Sequence, residues 1–414
     1  MCNLRVRRIL TRSAALVLMV GGLGSVARSG KRTTEPVREK VRVRGHALVL
    51  HPGHGVAYFA VVDPPGRRWV VGFDWRNGVE LWKTQLSEPE SFIPVGVAVD
   101  VVVCADGSGE WPRLLGLDRR TGSVRWKEAI IADAGSAGTT VSGGAIYQCT
   151  VRSVRRVDPA TGEQVWIRDF GKAFVGSVGQ PYPPAIANNR VFAQLADATG
   201  THVICFDSGT GRTLWQWKTK WVVLLDSGTP HELSSLAADN EHVFACVPAG
   251  PQRLNPNNPT IPLPPPMRLS CWQSGDGKLL WQRDISWSTI DYELFTHDGV
   301  VLVNLGTGHG VKAFSVQDGT LRWHWEDQAH AIHGPWSVTQ SGLLLVSELH
   351  KEAAWLQVLD LSDGSTRGLL RLARRFFVWS IWPLPNDDAV VVFGSEEGRD
   401  DAQILLVSLP PSSR

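Results

Sequence analysis

The sequence predicts an all-β fold: an eight-bladed β-propeller with four antiparallel strands per blade, closed by an N-terminal strand that joins the last blade. Three observations predict it. The 414 residues include 18 Trp and 41 Gly but 4 Tyr and 3 Met, a bias typical of a repeat in which Trp and Gly hold fixed places. A turn phrase recurs seven times. The intervals alternate apolar and polar residues, as strands do, without helical periodicity.

The repeat consists of an Asp, a turn Gly four residues later and a Trp four residues after the Gly, as in LDRRTGSVRW at 117–126. Successive turn glycines are 40 to 66 residues apart, the spacing of propeller blades. Gln273 and Ser315 replace two of the Asp residues, and Gly368 replaces the last Trp. The repeat residues are Asp74, Gly78, Trp82, Asp118, Gly122, Trp126, Asp158, Gly162, Trp166, Asp207, Gly211, Trp215, Gly277, Trp281, Gly319, Trp323, Asp360 and Gly364.

Each part of the repeat has a mechanical reason. The Asp side chain accepts hydrogen bonds from backbone amides of the turn, and the Gly adopts the positive φ of a tight hairpin. The Trp lies on one face of the outer strand, where a large flat ring fills the gap to the neighbouring blade. The repeat is therefore predicted to be structural.

Closure of the ring is predicted from both ends of the chain. After the seventh copy, three strand-like segments remain, at 376–384, 388–394 and 403–409. The strand 37–45 would complete that sheet and remove an open edge. The predicted organisation is a signal peptide at 1–27, a linker at 28–36, the propeller at 37–410 and a tail at 411–414.

The N-terminus resembles an export signal. Arg5, Arg7, Arg8 and Arg12 precede the apolar run 14–27, which ends in small residues. An uncleaved anchor helix is the alternative, but the run contains three glycines and is shorter than the ~20 residues that span a bilayer. We therefore expect an exported protein, periplasmic or extracellular, with no stable transmembrane segment.

Charge and cysteine content exclude some functions. Lys and Arg exceed Asp and Glu by only two, and the excess lies near the N-terminus, so no basic face for nucleic acid is expected. Beyond Cys2, the cysteines show no CxxC or Cys/His metal spacing, and we interpret them as buried thiols. They are Cys104, Cys149, Cys205, Cys246 and Cys271.

The phrase D-x-x-T-G-x-x-x-W, at 118–126, 158–166 and 207–215, closely resembles the repeat of the pyrroloquinoline quinone (PQQ)-like, or quinoprotein alcohol dehydrogenase-like, eight-bladed propellers. The resemblance covers residues 40–410. That group includes dehydrogenases and a lipoprotein of the outer-membrane β-barrel assembly machinery. The dehydrogenases use a vicinal disulfide, a Ca²⁺ held by Glu and Asn, and a catalytic Asp. This chain has no Cys-Cys pair and no lipoprotein cysteine after its apolar run.

Ligand sites in that family lie on the face opposite the Asp-Gly turns, which we call the loop face. The loop candidates for a metal are His324, His330, His333, Glu396 and Asp400, although their spacing matches no known site, so ordinary polar loop residues are the alternative. The Pro-rich segment 248–267 is interpreted as a surface insertion or as a partner-docking arm. The tryptophans considered for sugar stacking are Trp217, Trp221, Trp287, Trp336 and Trp382.

These observations favour an exported, non-catalytic scaffold at the cell envelope, a monomer that binds a protein partner or small ligand through its loop face. The resemblance leaves a PQQ-dependent dehydrogenase, or a sensor propeller that binds a small ligand or polysaccharide, as the alternative. No cofactor is predicted, and PQQ remains open. The chain contains no G-x-S-x-G elbow, P-loop or H-E-x-x-H motif.

Overall fold

The computed structural model is all-β over the residues that it describes. These residues are 38–43, 47–51, 55–62, 67–87, 92–106, 113–128, 137–150, 153–170, 182–197, 199–224, 230–231, 235–251, 253–255, 258–263, 265–285, 293–305, 310–326, 331–339, 342–350, 353–374, 376–384, 389–396 and 402–409. The predicted signal peptide, the linker and the tail lie outside them.

Most strands belong to four-stranded antiparallel sheets, each formed by consecutive strands of one segment, which we call blades. Blade 1 contains β2 (Ala47–His51), β3 (Val56–Val62), β4 (Arg68–Asp74) and β5 (Val79–Gln85). Blade 2 contains β6 (Phe92–Ala98), β7 (Val101–Asp106), β8 (Leu114–Asp118) and β9 (Val124–Lys127). Blade 3 contains β10 (Ala137–Ser142), β11 (Ala145–Thr150), β12 (Ser153–Val157) and β13 (Gln164–Asp169). Blade 4 contains β14 (Ala185–Ala187), β15 (Arg190–Asp197), β16 (Gly200–Asp207) and β17 (Thr213–Thr219).

The next three blades follow the same order, and two small hairpins are inserted between their strands. A first hairpin, β18 (Val223–Leu224) and β19 (Pro230–His231), precedes blade 5. Blade 5 contains β20 (Ala237–Ala238), β21 (His242–Pro248), β24 (Met267–Gln273) and β25 (Leu279–Ile285), with β22 (Arg253–Asn255) and β23 (Asn258–Leu263) inserted. Blade 6 contains β26 (Glu293–His297), β27 (Val300–Asn304), β28 (Val311–Ser315) and β29 (Leu321–Trp325). Blade 7 contains β30 (Ala331–Val338), β31 (Leu343–His350), β32 (Ala353–Asp360) and β33 (Thr366–Arg374).

The blade count corrects the expectation of eight blades. Seven blades are each folded from one continuous segment, so by this definition the propeller is seven-bladed. The remaining four-stranded sheet, which we call the closing sheet, joins β1 (Arg38–Val43) to β34 (Phe376–Pro383), β35 (Ala389–Glu396) and β36 (Ala402–Ser408). The physical reason is that only three strands follow blade 7, so that segment cannot complete a blade by itself.

The core lies between the sheets. Eight clusters of buried apolar side chains each join two neighbouring sheets, including the closing sheet with blade 7 and with blade 1. The five cysteines beyond Cys2 form no disulfide bond and are buried within these layers, as expected. Burial raises the pKa of Cys205 to about 12, so that this thiol stays protonated and is a packing group rather than a nucleophile.

The strand order defines two faces. Turns after the first and third strands of each blade lie on one face, which we call the turn face, because these strands end there. Connections after the second and fourth strands lie on the loop face. In the described part of the chain, no helix is long and apolar enough to cross a membrane.

Candidate functional site

The repeat tryptophans join each blade to the next one on the turn face. Trp126 donates its Nε1–H to the carbonyl of Pro159 in blade 3, over 2.7 Å. Its ring covers the turn glycine Gly162, where an added Cβ would lie 2.5 Å from the indole. Gly162 also has a φ of +74°. A side chain at this position is therefore disfavoured both by the backbone conformation and by the lack of space.

The same docking recurs at six junctions, from blade 1 to blade 7. Each indole Nε1–H donates to the carbonyl directly after the Asp position, and each ring lies on the next turn glycine. The donor and acceptor pairs are Trp82 and Arg119, Trp126 and Pro159, Trp166 and Ser208, Trp215 and Ser274, Trp281 and Val316, and Trp323 and Leu361. The covered glycines are Gly122, Gly162, Gly211, Gly277, Gly319 and Gly364.

The Asp residues of the repeat shape the turns. The Asp118 carboxylate accepts hydrogen bonds from the Thr121 amide at 2.9 Å and from Arg125. These bonds, that of Arg125 first, hold the pKa of Asp118 well below its usual range. Asp74, Asp207 and Asp360 accept amide hydrogen bonds in the same way. The repeat residues are therefore occupied in holding the ring.

A second set of contacts, which sequence reasoning missed, lies two residues after three of the docked tryptophans, Trp82, Trp166 and Trp281. Thr84 Oγ1 donates to the carbonyl of Gly122 at 2.6 Å, and Arg283 Nε donates to that of Gly319 at 2.9 Å. Arg168 does the same to Gly211. These side chains share the face of the Trp because strand residues two apart point the same way, a spacing that the sequence displays.

Glu128, which lies two residues after Trp126, takes part in a buried polar group near the loop face. It forms an ion pair with Arg155 of blade 3, whose side chain is 1% exposed. Arg155 Nε also donates to Gln148 Oε1 at 2.8 Å. Burial raises the pKa of Glu128, and the Arg155 charge opposes that rise only in part. The Glu128–Arg155 pair thus joins blade 2 to blade 3 by a largely buried contact.

A second polar group on the loop face lies in blade 4. His202 Nδ1 lies 2.7 Å from Gln216 Nε2, and His202 Nε2 lies 3.2 Å from Asp197 Oδ2. Burial lowers the pKa of His202, although Asp197 acts in the opposite direction. Asp197 also accepts the Thr199 hydroxyl at 2.6 Å. The imidazole is thus neutral and held by partners on both nitrogens.

Only two of the five predicted metal candidates, His324 and Glu396, have described side chains. His324 is exposed at the end of β29, and Glu396 accepts a hydrogen bond from Gln403 at 3.1 Å. All of His330 and Asp400, and the side chain of His333, lie outside the described residues. Among the residues that the structure describes, no three His, Cys, Asp or Glu side chains form a group suited to a metal ion.

The Pro-rich segment 248–267 contains a β-hairpin. Strands β22 and β23 pair antiparallel through Arg253 with Leu263 and Asn255 with Asn258. At its base the Ala249 amide donates to the Pro266 carbonyl at 2.7 Å. The insertion therefore extends blade 5 on the loop face as a paired unit.

The tryptophans considered for sugar stacking have different surroundings. Trp217 packs against Trp272 with ring centroids 5.0 Å apart, and Trp221 lies under Lys220. Trp336 meets Phe295, and Trp382 packs against the core between the closing sheet and blade 1. Trp287 lies outside the described residues.

Comparison with known proteins agrees with this architecture. Residues 112–240 match the family model of the outer membrane protein assembly factor BamB. BamB from Moraxella catarrhalis is 17% identical and matches with a TM-score of 0.60, covering 90% of this chain and 100% of that one. These likenesses support a PQQ-like β-propeller family.

Quinohaemoprotein alcohol dehydrogenases share the PQQ-like fold as well. The enzyme from Pseudomonas putida is 13% identical, with a TM-score of 0.51 and coverage of 91% of this chain and 76% of that one. The enzyme from Comamonas testosteroni is 11% identical, with a TM-score of 0.52 and coverage of 91% and 77%. No curated protein matches the sequence. At these identities, likeness to solved structures shows the fold alone.

Proposed function

We propose that this PQQ-like propeller is an exported, non-catalytic scaffold at the cell envelope that binds a protein partner through its loop face. The observation that carries the proposal is the match of residues 112–240 to the family model of an outer membrane assembly factor. This segment spans the third strand of blade 2 to the start of blade 5, and so includes both polar groups of the loop face.

The division of labour between the two faces supports the loop face as the binding side. On the turn face, the repeat side chains dock blade to blade. On the loop face, Lys218 and Lys220 are exposed beside the His202 group, and the β22–β23 hairpin extends blade 5. Insertions and varied loops on one rim of a rigid scaffold are where propellers place their contacts.

Site-specific crosslinking tests the proposed binding face. A photo-reactive amino acid is placed at Lys218 on the loop face and, as the matched control, at Arg120 on the turn face; both side chains are exposed. In the native host, we expect a defined covalent adduct from position 218 and none from position 120. Equal adducts from both positions, or none from position 218, would contradict the proposal.

Export is tested separately. Residues 1–27, fused to an alkaline phosphatase that is active only outside the cytoplasm, should give phosphatase activity. The matched control replaces Arg5, Arg7, Arg8 and Arg12 with Asp and should abolish that activity, because a secretory signal needs a basic region before its apolar run. If the fusion with the unchanged residues 1–27 were inactive, the proposed location at the cell envelope would be contradicted.

The dehydrogenase alternative predicts a different result. A cofactor-dependent enzyme would be stabilised by PQQ with Ca²⁺, since a ligand that binds only the folded state raises its stability. It would also oxidise alcohols in the presence of an electron-accepting dye. For a non-catalytic scaffold we expect an unchanged melting temperature and no dye reduction. Stabilisation by PQQ with Ca²⁺ together with dye reduction would favour the dehydrogenase hypothesis over the scaffold hypothesis.

A further inference from the structure

Three neighbouring edge strands form a basic surface on one sector of the ring. They are β33 of blade 7, β1 of the closing sheet and β5 of blade 1, and each lies at the outer edge of its sheet. Together these strands contain seven Lys or Arg residues but only two Glu residues. The closing sheet packs on blade 7 and on blade 1, so the three strands follow one another around the ring. We call this surface the basic rim.

Closure of the ring assembles the basic rim from distant parts of the chain. Strand β1 carries Arg38, Lys40 and Arg42, and it pairs with β36 from the other end of the chain. It thereby stands between β33, which carries Arg371, and β5, which carries Lys83. In the sequence these residues are a basic N-terminal stretch and scattered single charges, whereas the fold brings them to one side of the molecule.

Two cations of the basic rim lie over tryptophan rings. Lys83 Nζ lies 4.4 Å from the ring centroid of Trp69, and the Arg67 guanidinium carbon lies 5.8 Å from the same centroid. On blade 7, the Arg371 guanidinium carbon lies 5.9 Å from the ring centroid of Trp355. Within the described part of the chain, Lys83 and Arg371 form no ion pair, and both side chains are exposed. Their charges therefore face solvent without an acidic partner among those residues.

Three cations on other outer strands are instead occupied within the protein. Arg125 on β9 forms ion pairs with two Asp side chains. Arg168 on β13 and Arg283 on β25 donate to turn carbonyls of the next blade. These three side chains help to hold the ring, whereas Lys83 and Arg371 contact only a tryptophan of their own blade.

We propose that the basic rim docks on the surface of an anionic lipid bilayer. Lys and Arg side chains near such a surface are attracted to it, and tryptophan rings favour the boundary between headgroups and acyl chains. Trp69 and Trp355 are half-buried, and each supplies a ring beside a cation. Nucleic acid is disfavoured, because cations already cover ring faces on which bases would stack. The basic rim is separate from the proposed partner surface on blades 2 to 5 and does not rest on it.

Cosedimentation with vesicles tests the proposal. The full chain is mixed with vesicles of phosphatidylcholine alone or of an equal mixture of phosphatidylcholine and phosphatidylglycerol. We expect stronger binding to the anionic vesicles at low salt and loss of this preference at high salt, since salt screens the attraction. Lys83→Gln combined with Arg371→Gln should weaken binding to the anionic vesicles by about fivefold for each cation, or about 25-fold in total.

The matched control combines Arg212→Gln with Lys278→Gln, which removes two exposed cations from blades 4 and 5. Both double variants lose the same charge and keep the basic and apolar residues of the N-terminus, so a difference between them arises from the basic rim. The control should bind as tightly as the unchanged protein. Thermal unfolding checks that each variant is folded, and Lys83→Gln alone provides a readout should Arg371→Gln lose structure.

Three results would overturn the proposal. Basic residues on edge strands also discourage edge-to-edge pairing, and that role alone predicts equal binding to the two kinds of vesicle. Equal losses in the two double variants would mean that net charge, and not the basic rim, determines binding. Binding of a single-stranded oligonucleotide that is weakened by Lys83→Gln with Arg371→Gln, in the absence of vesicle binding, would identify nucleic acid as the partner instead.

Discussion

Two kinds of junction hold this ring together. Between blades 1 and 7, each of six junctions combines an apolar core with a docked Trp, whose indole N–H bonds to the next turn. The closing sheet meets blade 7 and blade 1 through apolar cores without a repeat Trp. Gly368 stands at the Trp position of β33, and Arg38 stands at that of β1.

The topology explains why no Trp docks between blade 7 and the closing sheet. A docked Trp needs a turn on the next sheet that offers a glycine surface and a carbonyl. In the closing sheet, the third and fourth strands are β36 and β1, from opposite ends of the chain, so no hairpin turn connects them. A Trp on blade 7 would have no turn on which to dock. The comparison teaches that the repeat is a property of a pair of neighbouring blades rather than of one blade.

Trp126→Ala should give the largest effect. We expect the free energy of unfolding to fall by about 3–5 kcal/mol, because a buried aromatic ring and its hydrogen bond are removed. Urea denaturation measures it, and any ligand affinity should be unchanged. The control is Trp382→Ala at the closing sheet, where Nε1 has no partner and the loss should be smaller. Equal losses would erase the difference between the two kinds of junction.

Gly162→Ala tests the surface that receives the Trp. The added Cβ meets both a positive φ of +74° and the Trp126 ring at 2.5 Å, so we expect a loss of about 2–4 kcal/mol. Gly143→Ala is matched in conformation, with a φ of +57° and open space around it, and should cost about 1 kcal/mol. Thermal unfolding of both variants separates the docking contact from backbone strain. Similar losses would mean that the ring contact contributes nothing.

Grafted tryptophans sharpen the topological explanation. Arg38 holds the Trp position of β1, opposite Leu406, and the turn that ends in Gly78 lies ahead of it in blade 1. Arg38→Trp should therefore raise the free energy of unfolding by about 1 kcal/mol. Gly368→Trp, aimed at a sheet without a turn, should give no gain and should overpack the junction. Stabilisation by the second graft would show that a turn is not required.

Among the predicted changes in the free energy of unfolding, we expect the smallest when the pH is lowered. Hydrogen bonds from Arg125 and Thr121 lower the pKa of Asp118 in the folded state, so the unfolded chain binds its proton first. Stability is then fully present above about pH 4 and falls as the pH drops toward the folded pKa. In urea titrations, the free energy of unfolding of Asp118→Asn should fall less between about pH 5 and pH 2.5 than that of the unchanged protein. If Asp118→Asn and the unchanged protein showed the same pH dependence, the Asp118 carboxylate would not stabilise the turn.

The sequence predicted the parts of the fold that depend on residue type. Asp, Gly and Trp at fixed spacing predicted the turns, and an N-terminal strand completes the closing sheet as expected. It could not show which backbone carbonyl accepts the indole N–H, because every residue carries one. Nor could it pair Glu128 with Arg155, which are 27 residues apart, since such a contact depends on how two sheets meet.

The central claim is that docked tryptophans make the junctions of blades 1 to 7 stronger than those of the closing sheet. Native-state hydrogen exchange tests it most directly, because local opening reports local stability. We predict that amides in 376–383, 389–396 and 402–408 exchange before those in 114–118, 153–157 and 200–207, and that Trp126→Ala accelerates exchange in 114–118 and 153–157. Uniform exchange around the ring, or a closing sheet that exchanges last, would contradict the account.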